Sequence, residues 1–299
     1  MIYGQLFRTR VLQDIFTRCE KCAEVDRQRA LARAGGDEHL LNGMLQVLRE
    51  ARLTINFNPV QIEQSSSTRI ADEVVNCFAF REKPGAPQGS NAGRAHMEEY
   101  VLGLGELLRG KQPYAEFGRY DSVVFGAGPA RDFQWTSRPC YAALDFLHGP
   151  NGGAPTYGHS FLVLHDHFKH VCSYCPVDTF ALRLRHANVH PHELSTFFHL
   201  ETLIAHCQDD LWGYSCLKSL KAKACAEDIP IHRNYGYGGW NNYIDAQVYA
   251  RIVLHRDVKE IHFARKDLSQ MPAKLRQTLE RARTDLNHRL GREFVFIDG

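Results

Sequence analysis

The sequence predicts an α+β fold, on three observations. Apolar residues recur at helical spacing through the first fifty positions. Short β-prone runs parted by glycine-rich turns fill the second half, and a last helical stretch gives way to a closing strand. Helices therefore come first, followed by a sheet whose strands are joined mostly by loops.

Taken in order, residues 5–52 read as two helices. Leu6, Val11, Ile15 and Phe16 form an apolar stripe on the first, and Leu31 continues it. Leu40, Leu41, Met44, Val47 and Leu48 do the same on the second. Gly35-Gly36-Asp37 separates the two, with Asp37 as the cap of the second. Leu53 to Pro59 is extended. Thr68 caps a helix running to about Phe80. Residues 82–94, rich in Pro, Gly, Ser and Asn, form an exposed loop, and a helix follows from about Ala95 to Arg109. The domain boundary is set near residue 105, giving a helical region 1–105 and a second domain 106–299.

Strands are expected at Ser122–Phe125, Tyr141–Phe146, Ser160–Leu164, Val248–Leu254 and Ile261–Phe263. The last helix spans about Pro272 to Leu290, with Leu275, Leu279, Ala282 and Leu286 on one face. Glu293 to Ile297 closes the chain as a strand.

Composition bounds the function classes. The 299 residues are 44% apolar and 23% charged, with a formal charge of +2, which suits a globular protein of one large domain or two smaller ones. Basic and acidic residues are interspersed, so no nucleic-acid footprint is visible. No run reaches the ~20 apolar residues that span a bilayer, and Met1 to Phe7 lacks the basic-then-apolar pattern of a secretory signal. Nine cysteines, an odd number, point to free thiols rather than a disulfide framework. Two Cys-x-x-Cys pairs, Cys19/Cys22 and Cys172/Cys175, the second near His165, His167 and His170, raise a zinc reading. Their separation favours core thiols instead.

Five ordered segments resemble the bacterial family of unknown-function proteins labelled DUF3626. They also resemble the related ADP-ribosyltransferase modules of phage-associated proteins. Leu53-Thr-Ile-Asn-Phe-Asn-Pro59 is similar to Val-Thr-Leu-Asn-Phe-His-Pro, and Gly118-Arg-Tyr-Asp-Ser122 with Phe125-Gly-Ala-Gly128 is similar to a Gly-Arg-Tyr-x-Ser run and glycine-containing strand end. Arg138-Pro-Cys-Tyr-Ala-Ala-Leu144 resembles Arg-Pro-x-Tyr-Gly-Ala-Leu. Gly153 to Gly158 and the strand from Ser160 resemble Pro-x-Phe-Gly-Ser and its strand. Tyr243-Ile-Asp-Ala-Gln-Val248 with Asp257-Val258 resembles Tyr-Ile-Glu-Ala-Gln-Val and its downstream Asp-Val.

The resemblance implies a split, mostly antiparallel sheet with NAD⁺ in its cleft, and transfer of ADP-ribose to a protein. It extends to CteC-type effectors, which modify ubiquitin on a threonine. Ubiquitin is thus the implied partner and the host cytosol the implied place of action of a secreted bacterial effector. The helical first third would grip the protein substrate. No nucleic-acid or membrane partner is expected, and the chain is read as a monomer.

The chemistry sets the requirements. Breaking the nicotinamide–ribose bond gives the sugar oxocarbenium character, which a neighbouring carboxylate stabilises. Asp245 takes the position of the family's acid. The usual residue there is Glu, so this chain keeps the charge and loses one methylene of reach. Gln247, two residues on, points to the same strand face and assists. Asp178 resembles the acid of a Pro-Asp-Ser turn, and is either a turn former or a second acid orienting substrate. Arg138 suits the NAD⁺ phosphates or ribose, or else anchors a strand. Gly126 lets backbone approach the nicotinamide amide, or simply turns a strand end. Tyr141 and Tyr157 stack on nicotinamide or pack in the core, and His159 and Ser160 donate to the cofactor or serve structure. The loop bearing Tyr235, Tyr237, Trp240 and Tyr243 recognises a partner or packs as a lid.

Three other classes compete: a binding module on a transferase scaffold that has lost catalysis, a Cys–His hydrolase, and a zinc-stabilised interaction protein.

Overall fold

A computed structural model describes residues 2–57, 59, 73–74, 139–179, 194–207, 216–227, 243–290, 293 and 295–298. Two helices open the chain, α1 (Ile2–Arg33) and α2 (Glu38–Glu50). Gly35 and Gly36 take left-handed φ values of 74° and 82°, where a side chain would strain the turn. The Gly36 amide donates to the Leu31 carbonyl at 2.9 Å, which ends α1 in the manner of a Schellman turn. Asp37 then caps α2, its Oδ1 accepting from the amides of His39 and Leu40 at 2.8 and 3.1 Å.

The strands that follow are β1 (Arg52–Phe57), β2 (Glu73–Val74), β3 (Cys140–Asp145), β4 (Ser160–Leu164), β5 (Cys172–Cys175) and β6 (Ser195–Thr196). Helices α3 (Leu200–His206) and α4 (Cys216–Ala224) come next, then strands β7 (Ile244–Val248) and β8 (Ile252–Val253). The chain goes on through α5 (Leu254–Asp257), β9 (Val258–Ala264), α6 (Arg265–Ser269) and α7 (Ala273–Leu290) to β10 (Val295–Asp298).

Eight strands make one open sheet in the order β10-β9-β4-β1-β3-β7-β5-β6. Every pairing is antiparallel except β9 with β10. The fold is therefore α+β with a mostly antiparallel sheet. Strand β1 lies between β4 and β3, so the first third of the chain supplies a central strand as well as helices. The expected boundary near residue 105 falls outside the described residues.

Alternation along each strand gives the sheet two unlike faces. Leu53, Ile55, Ala142, Leu144, Leu162, Leu164, Tyr174, Ile244, Ala246 and Val248 join one core with α2, α3 and α4. The alternate positions on the other face are more polar: Thr54, Asn56, Asp145, Ser173, Asp245 and Gln247 lie there among Ala143, Phe161, Val163 and Cys175. That face carries the candidate site.

Three expectations need correction. Within the helix expected from Thr68 to Phe80, Glu73–Val74 instead form β2, because β8 offers them an antiparallel ladder. The run Val248–Leu254 is not one strand. Tyr249 turns away to donate to the Val171 carbonyl at 3.0 Å, and the Asp257 carboxylate accepts from the Val253 amide at 2.7 Å, bending the chain into α5. Phe16, read into the apolar stripe of α1, is 37% exposed, while Val11, Ile15, Cys19, Ala30 and Ala34 are buried. The loop 82–94, the helix 95–109 and the strand 122–125 lie outside the described residues, as do the face-forming side chains of α7.

Candidate functional site

The polar face is organised by a clamp on the glycine-rich turn between β3 and β4. Thr54 Oγ1 accepts from the Gly153 amide at 3.0 Å. Asn56 uses both ends of its amide: Nδ2 donates to the carbonyls of Asn151 and Gly158 at 2.7 and 2.8 Å, and Oδ1 accepts from the Ala154 amide at 2.9 Å. Arg52 Nη2 donates to Asp145 at 2.6 Å and to the Gly149 carbonyl at 2.9 Å. The turn is seated close. A Cβ on Gly153 would come 2.7 Å from the Ala143 Cβ and 3.0 Å from the Asp145 Cβ, so only glycine fits without a shift. The Thr-x-Asn pattern of β1 is thereby tied to the Gly-Ala-Pro-Thr-Tyr-Gly segment about a hundred residues away.

The clamped turn presents Tyr157, at the end of a 3-10 turn Pro155–Tyr157. Its hydroxyl donates to Asp178 Oδ2 at 3.0 Å. Asp178 is 2% exposed and Tyr157 is 42% exposed, so the phenol forms the solvent side of a buried acid site. One residue on, Thr179 donates through both its amide, at 3.1 Å, and its hydroxyl to Asp245 Oδ2. Asp245 is also 2% exposed, and its β-partners are Ala143 on β3 and Cys175 on β5. Tyr243 completes the group. Burial first, then the charges of Asp178 and Asp245 and the contact with Tyr157, push its phenol well above the ordinary tyrosine range. It stays protonated and can donate.

Farther along β7, Gln247 pairs with Tyr141 on one side and Ser173 on the other. The Ser173 hydroxyl donates to Gln247 Oε1 at 2.7 Å and lies 3.0 Å from the Tyr249 hydroxyl. Tyr141 is half-buried on β3. The structure thus brings together Asp245, Asp178, Tyr157, Gln247 and Tyr141 from the residues the sequence singled out.

His159 and Ser160 engage a different acid. Both serve Asp267 of α6. Its Oδ2 accepts from the His159 amide at 3.0 Å and from the Ser160 amide and hydroxyl, each at 2.8 Å, while its Oδ1 accepts from His159 Nδ1 at 3.0 Å. The Ser160 hydroxyl in turn accepts from the Ala264 amide at 3.1 Å. These bonds tie β4 to β9 and α6, and the partly exposed His159 also sets Nε2 3.4 Å from Lys266 Nζ. Strands β1 and β3 separate β4 from β7, three strand spacings or roughly 14 Å.

Tyr243, expected either to recognise a partner or to pack as part of a lid, is 5% exposed beside the acids, which favours packing. Gly126, Arg138, Tyr235, Tyr237 and Trp240 lie outside the described residues. Cys172 and Cys175 are buried on β5. The Cys172 thiol donates to the Phe168 carbonyl at 3.0 Å, and complete burial pushes its titration above the normal thiol range. Cys19 lies buried in α1 and Cys22 exposed. Among the described residues no group of three His, Cys, Asp or Glu side chains could hold a metal ion. Nor is any helix there long and apolar enough to cross a membrane.

Sequence reasoning missed Thr179, Thr54, Asn56 and Asp267. Thr179 follows directly on the singled-out Asp178, and Thr54 and Asn56 alternate within a quoted motif. Those were the available signals. Asp267 offered none.

The model of a family described as "Protein of unknown function (DUF3626)" matches residues 117–290, more than half of the chain. No curated protein matches it.

Proposed function

We propose, on the premise that the chain belongs to the DUF3626 family, that it is a mono-ADP-ribosyltransferase using the polar face of its sheet. NAD⁺ is the donor, and a protein is the acceptor. One observation carries the reading. Two carboxylates, Asp245 and Asp178, are both 2% exposed and both act on the buried, protonated Tyr243, while the exposed Tyr157 donates to Asp178. Carboxylates held away from water act strongly on positive charge that develops beside them. The charge set fits a cationic nicotinamide ring and the ribosyl cation it leaves behind.

In the proposed step, the C–N glycosidic bond breaks and nicotinamide departs with the electron pair. The acceptor's hydroxyl or amine then bonds to the anomeric carbon, and its proton passes to a carboxylate or to water. Asp245 steadies the sugar cation. Its two hydrogen bonds from Thr179 fix the carboxylate plane, which offsets the freedom a longer acid would have. Asp178, oriented by Tyr157, is the second acid. Resemblance to the CteC-type effectors makes a ubiquitin threonine the acceptor to try first.

A second reading has its own support. Thr179 already engages Asp245 Oδ2 twice, as a purely structural acid would be engaged, which suits a binding module that no longer turns over NAD⁺.

The two separate in one experiment. The purified chain is incubated with NAD⁺ and ubiquitin or host lysate, and free nicotinamide and protein mass are followed. A transferase releases nicotinamide and adds one ADP-ribosyl unit to a target, and Asp245→Ala lowers that rate by about 100-fold or more. Capture of ubiquitin without any release of nicotinamide decides for the binding module.

A further inference from the structure

Gln247 is 0% exposed, yet only one end of its carboxamide is used. Oε1 accepts the Ser173 hydroxyl, and that hydroxyl, its single proton spent, can only accept from the Tyr249 phenol 3.0 Å away. With the amide facing this way, the Tyr249 phenol, the Ser173 hydroxyl and Gln247 Oε1 form one donor-to-acceptor chain. Gln247 Nε2 is buried and has no hydrogen-bond partner. A buried donor without an acceptor costs free energy, and folded proteins keep few of them.

We propose that Gln247 Nε2 is a substrate-reading donor. It gives its hydrogen bond to an acceptor oxygen at the nicotinamide riboside end of NAD⁺, and Ser173 and Tyr249 are its positioning residues. This rests on the ADP-ribosyl reading above and deepens it. Gln247 lies two residues from Asp245 on the same face of β7, about 7 Å along a strand, a spacing that one nucleoside bridges. Gln247 thus recognises the donor nucleotide instead of assisting the acid. The acceptor oxygen belongs either to the ribose hydroxyls or to the carboxamide, and both have the same hydrogen-bonding chemistry.

The test is thermal denaturation of the full chain with NAD⁺, ADP-ribose or nicotinamide as probes, in the wild type, Gln247→Met and Ser173→Ala. Methionine keeps the length of the side chain and removes the unpaired donor, and the Ser173 hydroxyl it releases can turn to donate to the Tyr249 hydroxyl 3.0 Å away. Gln247→Met is expected to be at least as stable as the wild type without ligand, and to bind NAD⁺ about 10-fold more weakly. Ser173→Ala is expected to fall between, at roughly 3-fold, because the amide is freed but not removed. A matching loss with ADP-ribose assigns the acceptor to the ribose, and one with nicotinamide assigns it to the carboxamide.

A side chain of structural value alone would behave in the opposite way, with lower unliganded stability and unchanged NAD⁺ affinity. That result, which also covers an internal water as the only partner, overturns the inference while the transferase reading stands. If the wild type shows no stabilisation by NAD⁺, both fail together.

Discussion

Replacing Asp267 by alanine would show whether His159 and Ser160 serve structure or cofactor. The carboxylate is 4% exposed and accepts four hydrogen bonds, from the two amides, the Ser160 hydroxyl and the His159 ring. Each bond to a charged acceptor is worth roughly 1.5–3 kcal/mol. The four share one anchor and do not add in full. Alanine also leaves the buried Ser160 amide unpaired, at about 1–3 kcal/mol. The total expected is about 3–5 kcal/mol, the range found when one partner of a buried charged network is removed. Asp267→Asn, which keeps the shape and the acceptor oxygen, should lose about half as much. Urea unfolding followed by far-UV circular dichroism measures both. A loss below about 1 kcal/mol for Asp267→Ala would refute the assignment of His159 and Ser160 to a structural anchor.

Further outcomes follow from other contacts. Gly153→Ala places a methyl 2.7 Å from the Ala143 Cβ, so a loss of about 1–3 kcal/mol is expected. The nicotinamide-release rate should fall as well, because the displaced turn carries Tyr157. At Asp257, burial pushes the carboxyl up, but hydrogen bonds from Arg256 and the Val253 amide outweigh it and hold the group below the ordinary carboxylate range. A depressed folded value means that its stabilisation is present above the unfolded pKa of about 3.9 and is lost as pH falls through the folded value. Urea midpoints taken from neutral pH to strong acid should therefore drop less steeply for Asp257→Asn than for the wild type. Thiol labelling of the native protein should modify the exposed Cys22 and Cys225 and spare Cys172, Cys175, Cys207 and Cys216 until denaturant is added. Rapid native labelling of Cys172 would contradict its place in β5.

The readable parts of this fold are those where local chemistry decides. Gly35, Gly36 and Asp37 ended one helix and capped the next as their residue types require. The strands at Tyr141 and Ser160 announced themselves by β-prone runs between glycine-rich turns. Strand β5 did not, because Cys172-Ser-Tyr-Cys175 stood out only as a Cys-x-x-Cys pair, with no β-prone run of its own. Its identity comes from pairing with β7 and β6. Asp245 and Gln247 were legible through resemblance and strand alternation. The Thr179 contact needed the turn after β5 to meet β7, and Asp267 reaches Ser160 across 107 residues. Such contacts are set by topology, which no window of sequence encodes.

The most direct measurement is a structure of the protein with NAD⁺ or a non-hydrolysable analogue bound. The nicotinamide riboside is expected on the polar face of β7, with the anomeric carbon about 4–6 Å from an Asp245 carboxylate oxygen, the range over which a charge partner acts strongly. A dinucleotide seated on another surface, with its ribose far from Asp245 and Asp178, would contradict this placement.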